Sequence, residues 1–440
     1  MPSAYLMTFL SVDRDLARHS YYAATAPRTQ GFAALSGDLE ADVATVGGGL
    51  AGLTAALDLA KLGRKVVLLE ARQVSWGASG RNGGQAIHGL ACDHTEIEAQ
   101  LGLEDARKVW GMTLEALDLL RQRMRHHQID CDWRDGYLGV ATSARKGAAL
   151  AEWAERMARV YNARFTPVPH ERIGDWIASP RYHSGLHDPH SGHLHPLKYA
   201  LGIARAAAEA GVQIFENSPV TAMTPGATVT LHTAGGQVRA PQVLLAGNVY
   251  LQGVAQALEQ RIMPVGTYIV CSEALEPGLA ASLVPSGSAV CDTNFVLDYF
   301  RPTADHRMLY GGRVSYSTVT PPNLAETMRK RMVGTFPQLK DAKAEFAWGG
   351  FVDITMNRAP DFGRLPDGHQ NVYYLQGFSG HGLALTGLAG RLVAEAMTGD
   401  ASRFDVFARI KHHAFPGGRL LRTPALVLGM AWYQLRDLLG

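Results

Sequence analysis

The sequence predicts an α/β dinucleotide-binding fold of Rossmann type joined to a second, α+β domain built on an antiparallel sheet. Three stretches carry that prediction. Residues 41–70 read as strand, glycine turn, helix and second strand in order; Val74–Gln85 is a loop dense in glycine; and a strand, glycine turn and helix recur near the end of the chain.

In the first stretch, Asp42–Val46 is a short β-rich run ending in Gly47-Gly48-Gly49. Leu50–Leu62 then has apolar residues at helical spacing and stops at Gly63, and Lys65–Leu69 is a buried strand closed by Glu70. Gly47 permits the tight turn, Gly49 lets the backbone approach a pyrophosphate, and Gly52 lets the helix pack closely on the strand. Leu50 and Ala51 begin a helix whose unpaired N–H groups face the phosphates. Glu70 can accept from both ribose hydroxyls and would repel a 2′-phosphate, which leaves NAD or FAD.

Composition narrows the class. At 440 residues the chain is longer than one usual core, so two domains are expected. A formal net charge of +2, with the basic residues dispersed, gives no reason to expect nucleic acid. Cys92, Cys131, Cys271 and Cys291 form neither a CxxC pair nor a zinc spacing, so no disulfide framework or metal site is expected. The start MPSAYLMTFLSVDRD lacks a basic lead and meets Asp13 too early for a secretory segment, which points to the cytoplasm.

The rest follows in chain order. Residues 1–40 read as an arm over the body. Ala71-Arg72 leads into VSWGASGRNGGQ, where Gly77, Ala78, Ser79, Gly80, Arg81, Asn82, Gly83, Gly84 and Gln85 form a backbone able to pass close to a flat ligand. Glu96–Gln128 and Ala144–Ala163 are helical, with a strand at Gly136–Thr142 between them, and Pro167–Pro189 reads as irregular. A helix spans Leu197–Ala210; Val212–Phe215 and the hairpin Thr228–Val238 suggest a small inserted sheet. Gln242–Ala246 is a buried strand ending in Gly247-Asn248. Residues 262–349 alternate as strands, followed in part by a helix near Asn323–Thr335.

The domain division expected from this reading is an arm at 1–40, a discontinuous nucleotide-binding domain at 41–95, 190–260 and 355–415, a substrate domain at 96–189 and 261–354, and a C-terminal helix at 416–440. Near the end, Asn371–Leu375 is a strand, Gly377–Gly382 a turn and Leu383–Met397 a helix. His381 sits in that turn, where it can supply a proton or positive charge.

At these residues the chain resembles the D-amino-acid-oxidase-like (DAO) FAD-dependent oxidoreductases. The resemblance covers nearly the whole chain: the set Gly47, Gly49, Gly52 and Glu70, the loop WGASGRNGGQ, the strand end AGN, and GFSGHGLALTGLAGRLVAE. It implies a glutathione-reductase-like FAD-binding domain. Glu70, Ala71 and Arg72 would lie at the adenosine ribose, Ser79–Asn82 along the pyrophosphate, and Gly83, Gly84 and Gln85 by the isoalloxazine. Val220 would meet adenine, with Ala246 and Gly247 beside the cofactor. Phe378, Ser379, Gly380, His381, Gly382 and Leu383 would meet the pyrimidine edge. Relatives with covalent flavin use a His near the first loop or a Cys in the second domain; neither is matched here, so the implied FAD is non-covalent.

SYYAATA, YGGRVSY and WGGFVDITMNRAPDFGRL narrow the likeness to members acting on gamma-glutamylputrescine. The implied reaction is hydride transfer from the carbon beside nitrogen to flavin N5, hydrolysis of the imine to an aldehyde, and reoxidation by O2 to hydrogen peroxide. An apolar, aromatic cavity would favour the neutral amine, with Tyr299, Phe300, Tyr310, Tyr316, Trp348 and Phe351 as candidate walls. His381, Tyr310 and Trp348 are the catalytic candidates. Arg301, Arg313 and Arg358 are candidates for the glutamyl carboxylate, Arg313 first, and Phe300 joins them at the substrate. Two rivals stand beside this reading: a dehydrogenase passing electrons to a membrane quinone, and an NAD enzyme or non-catalytic nucleotide-binding protein. The motive for the first is the apolar run Thr423–Leu435, which is too short to span a bilayer and is read as packing on the body.

Overall fold

The computed structural model describes residue 17 and residues 19–251, 253–294, 297–315, 323–366 and 369–416, the side chains of 313–315 excepted. The expected C-terminal helix therefore lies outside the described residues, apart from residue 416.

A six-stranded sheet forms the nucleotide-binding half, in the order Asp361–Arg364, Val372–Gln376, Gln242–Leu245, Val43–Val46, Val66–Leu69 and Gln213–Phe215. All neighbours are parallel except the Asp361–Arg364 edge. Val43–Val46 and Val66–Leu69 are buried at every position, as strands covered on both faces must be. Val46, Leu69 and Leu245 stand in register, so three strand ends open on one crevice.

One face is covered by the helices Leu50–Lys61, Leu103–His126, Pro196–Glu209 and Gly382–Thr398 in a single hydrophobic core. A Cβ on Gly390 would come within 2.3 Å of Thr54 Oγ1, so the first and last of these helices touch backbone to backbone. Buried Arg123 ties the layer together by donating to Gly387 O at 2.9 Å and Asp58 Oδ2 at 2.5 Å. The other face carries a four-stranded sheet of Leu39–Glu40, Gly236–Ala240, Val229–Thr233 and Ala222–Thr224.

The second half is a nine-stranded sheet, antiparallel apart from one parallel pair, Ala289–Asp292 with Arg134–Ala141. Its outer face is packed by the helix Leu324–Thr335. Gln85–Ala86, at the end of the glycine loop, pairs with Ser184–His193, so the loop passes directly from one domain into the other.

Three expectations are corrected. Leu103–His126 packs on the nucleotide fold, not in the substrate domain, because its apolar stripe fits the Leu50–Lys61 and Gly382–Thr398 helices. Gln213–Phe215 is the edge of the main sheet, paired in parallel with Val67–Leu69, not part of a small inserted one. Ser184–His193 is a ten-residue strand; its polar, Pro-containing composition conceals the period-2 pattern.

Candidate active site

Gly47 has φ +108°, and a Cβ there would lie 2.6 Å from Ala246 O. A Cβ on Gly52 would lie 2.0 Å from Gly47 O. Turn, helix and the end of the Gln242–Leu245 strand are thus pressed together at a spacing only glycine permits. Leu50 N–H donates to Ser79 Oγ at 2.9 Å, which fixes the glycine loop over the start of the helix.

Glu70 anchors the same turn. Its Oε2 accepts Gly48 N–H at 2.7 Å and its Oε1 accepts Arg72 N–H at 2.8 Å. Burial pushes the carboxyl above its ordinary range, opposed by those two N–H groups. Two rigid hydrogen bonds leave lone pairs on both oxygens for ribose hydroxyls.

A cleft partly open to solvent extends from here. Of the expected cofactor residues it is lined by Gly47, Gly49, Ala51, Glu70, Ala71, Gly77, Ala78, Ser79, Val220, Ala246, Gly247 and Phe378. Those residues come from both ends of the chain and meet at the carboxyl edge of a parallel sheet, at a helix N-terminus. A dinucleotide's pyrophosphate requires that arrangement, so the residues fit FAD.

Past Ser79 the loop is held from all sides. Arg81 is buried, stacks 4.4 Å over Trp76, and donates to Trp76 O and Gly349 O. Asn82 Nδ2 donates to Ala78 O and Ser79 O, while its Oδ1 accepts Gly84 N–H. Gln85 Nε2 donates to Val290 O at 3.0 Å. A Cβ on Gly83 would lie 2.6 Å from the Tyr299 ring.

The late turn is tied to the strand Ala344–Thr355. Gly377 N–H donates to Asp353 Oδ2 at 2.5 Å, Ser379 N–H to Asp353 O at 3.0 Å, and Thr355 N–H to Ser379 Oγ at 3.3 Å. Ser379 (φ +53°) and Gly380 (φ +84°) carry the chain into the helix at Gly382 and Leu383. Burial pushes the Asp353 carboxyl up to about 7. Asp353 falls within the stretch WGGFVDITMNRAPDFGRL, but nothing there marks its tie to the late turn.

Several substrate-side expectations are corrected. Phe300 and Tyr310 stack 5.5 Å apart on the outer face of the nine-stranded sheet, with Tyr310 Oη 2.8 Å from Thr335 Oγ1 and Phe300 edge-on to Phe336. They and Phe351 are domain core; Tyr299, on the opposite face of the same strand as Phe300, meets the loop. Trp348 is fully buried and its Nε1 donates to Arg81 O at 2.9 Å, so it positions the loop. Arg301 is 2% exposed and donates to Gly83 O and Tyr22 Oη, which commits it to the protein.

His381 is a neutral imidazole near pH 7. Burial pushes its pKa down to about 4, and its Nε2–H donates to His88 O at 2.7 Å. Arg358, at φ +60° in the turn after Thr355, acts electrostatically on His381 and Cys92. Arg313 lies in the strand Met308–Ser315 with its side chain outside the described residues, where Tyr316 also falls.

No motif marks His88 in the sequence. Its Nδ1 lies 2.6 Å from Asp188 Oδ2; against the cost of burial, hydrogen bonds from His88, Ser191 and His190 hold Asp188 at about 2. The four cysteines are free thiols.

Comparison with known proteins agrees with this geometry. The family profile described as DAO, FAD dependent oxidoreductase, matches residues 42–396. The chain is 44% identical to gamma-glutamylputrescine oxidoreductase of Escherichia coli (strain K12), over 96% of this chain and 98% of that protein. It is 38% identical to the probable oxidoreductase OrdL of Haemophilus influenzae, over 95% and 97%. Among solved structures, glycine oxidase from Geobacillus kaustophilus superposes with a TM-score of 0.70 at 21% identity, covering 82% of this chain and 95% of that one. L-proline dehydrogenase from P. horikoshii does so at 0.68 and 18%, covering 83% and 94%. The chain belongs to the DAO family of FAD-dependent oxidoreductases, and FAD is its cofactor.

Proposed function

We propose that this oxidoreductase is an amine oxidase acting on gamma-glutamylputrescine or a related N-substituted diamine, with FAD held non-covalently. The near full-length likeness to the Escherichia coli gamma-glutamylputrescine oxidoreductase carries this reading. Bound FAD supplies the acceptor for a hydride from the carbon beside nitrogen and delivers the electrons to oxygen as peroxide. The imine left behind hydrolyses to an aldehyde.

The protein's part is position and electrostatics. The Gly47–Gly52 turn and the following helix N-terminus bind pyrophosphate, Glu70 binds ribose, and Val220 lies at adenine. Asp353 fixes the late turn, so that the Gly382–Thr398 helix presents its N-terminal N–H groups to negative charge.

An alkylammonium has a pKa of about 10.4 and must lose its proton before reaction. Tyr137, Cys291 and Tyr299 share the loop-side face of the nine-stranded sheet, where burial raises the pKa of all three, so each stays uncharged. Such a wall disfavours the ammonium form. Arg313, or else Arg358, is assigned to the glutamyl carboxylate. The cytoplasm is the proposed location. Among the described residues no helix is long and apolar enough to cross a membrane.

The oxidase step is tested with an oxygen electrode on purified enzyme and gamma-glutamylputrescine. Oxygen uptake matched by peroxide is expected. Turnover with a quinone and none with oxygen contradicts it.

A further inference from the structure

The segment 20–35 precedes the nucleotide fold and has no part in the chemistry above, yet it reaches both ends of the cofactor site. At one end Tyr22 is fully buried, edge-on to Trp348 at 5.2 Å and to His195 at 4.7 Å. Its hydroxyl accepts from Arg301 Nη2 at 3.1 Å, and Arg301 Nε donates to Gly83 O at 2.9 Å. Among the described residues Arg301 has no carboxylate partner; its contacts are Gly83 O, Tyr22 Oη, Pro302 O and His193 Nδ1. Tyr22 therefore orients a buried cation against the backbone of the flavin loop.

The neighbours of Tyr22 fix the segment. Tyr21 Oη donates to Asp305 Oδ1 at 2.6 Å. His195 Nδ1 accepts Lys198 N–H, which places the proton on Nε2, and that Nε2–H donates to Thr25 Oγ1 at 3.0 Å.

At the other end Arg28 lies near Glu216 and Glu70. Both Glu216 oxygens are taken, one by Val74 N–H at 2.8 Å and one by Phe32 N–H at 3.4 Å. Each Glu70 oxygen already accepts one N–H of the turn. Among the described residues Arg28 Nη1 is buried and has no hydrogen-bond partner. A buried guanidinium donor beside the ribose carboxylate, with no acceptor among the described residues, calls for an oxygen of the ligand. Leu35 N–H then donates to Ser218 Oγ at 2.8 Å, two residues before Val220.

We propose that the segment 20–35 is a working part of the FAD site. Arg28 binds a ribose or phosphate oxygen of the adenosine half, and Tyr22, acting through Arg301, is a positioning residue for the Gly83 carbonyl in the flavin loop. This depends on the cofactor alone, so it stands or falls independently of which amine is oxidised.

The test strips FAD from the full-length protein and from Arg28→Met, Arg28→Lys and Tyr22→Phe, then measures FAD rebinding by quenching of flavin fluorescence and thermal unfolding of each apoprotein. Arg28→Met should weaken FAD binding about tenfold, the loss of one charge-assisted hydrogen bond, with unchanged apoprotein unfolding and partial recovery in Arg28→Lys. Tyr22→Phe should weaken binding several-fold and shift the flavin reduction potential. FAD affinity within about twofold of wild type in both Arg28→Met and Tyr22→Phe overturns the proposal. Hydrogen exchange of the wild-type protein decides it even where a variant fails to fold: protection of 20–35 that rises on FAD binding supports it, and unchanged protection overturns it.

Discussion

Asp353 and Gly377 are joined by a 2.5 Å hydrogen bond from the Gly377 N–H to Asp353 Oδ2, so one carboxyl at the end of the substrate sheet sets the first residue of the cofactor turn. The same residue's carbonyl accepts Ser379 N–H. The two halves of the enzyme are mechanically coupled at the Gly377–Gly382 turn.

Asp353→Ala is therefore expected to leave the buried Gly377 N–H unpaired, at a cost of about 1–3 kcal/mol. The variant should release FAD on gel filtration at a concentration where wild type retains it. Asp353→Asn keeps an acceptor oxygen and should retain FAD. Equal retention by wild type and Asp353→Ala would remove Asp353 from the site.

Glu70→Ala strips the acceptor from Gly48 N–H and Arg72 N–H and, with them, the carboxylate proposed to bind ribose. FAD affinity should fall at least about tenfold, read by equilibrium dialysis. Glu70→Gln, which retains one acceptor, should lie between the two.

Arg313→Ala should raise KM for gamma-glutamylputrescine more than for putrescine, whereas equal effects exclude it from carboxylate binding. Tyr310→Phe, by contrast, removes only a buried hydroxyl pair with Thr335. It should cost about 1 kcal/mol of stability in urea unfolding and leave the ratio of kcat/KM for the two amines unchanged.

Burial holds His94 and His381 at about 4 and His193 and His195 at about 3, all below the ordinary value of about 6.5. The unfolded chain takes up protons there that the fold refuses, so the stability from these groups is present above pH 6.5 and lost as pH falls toward 4. Asp353 at about 7 and Asp292 at about 6 act oppositely: the fold holds protons the unfolded chain has released, and stability is lost as pH rises from about 4. Four histidines against two carboxyls should make thermal stability rise from pH 4 to 6.5. His195→Gln should flatten that rise, and Asp353→Asn should steepen it.

The nucleotide half was legible because its chemistry is local: Gly47, Gly49, Gly52 and Glu70 each act within one strand-turn-helix-strand unit. The substrate half was not, because strand side chains alternate between faces. In Tyr299-Phe300 a one-residue difference separates a side chain on the flavin loop from one in the outer core, and nothing in the pair says which is which. Leu103–His126 displays an apolar stripe but not the helices that will bury it. His381 was visible as a residue, while its neutrality depends on burial and on His88 O, nearly 300 positions away. Arg28 carries no motif, and nothing in WGGFVDITMNRAPDFGRL singles out Asp353, whose bond to Gly377 arises only where distant backbone meets it.

The most direct measurement mixes the FAD-loaded enzyme anaerobically with gamma-glutamylputrescine, putrescine, glycine and D-alanine in turn, and follows the flavin absorption before oxygen is admitted. Rapid bleaching by gamma-glutamylputrescine, slower bleaching by putrescine, and return of the yellow colour with stoichiometric peroxide is the predicted result. Bleaching by glycine or D-alanine with none by gamma-glutamylputrescine would contradict it.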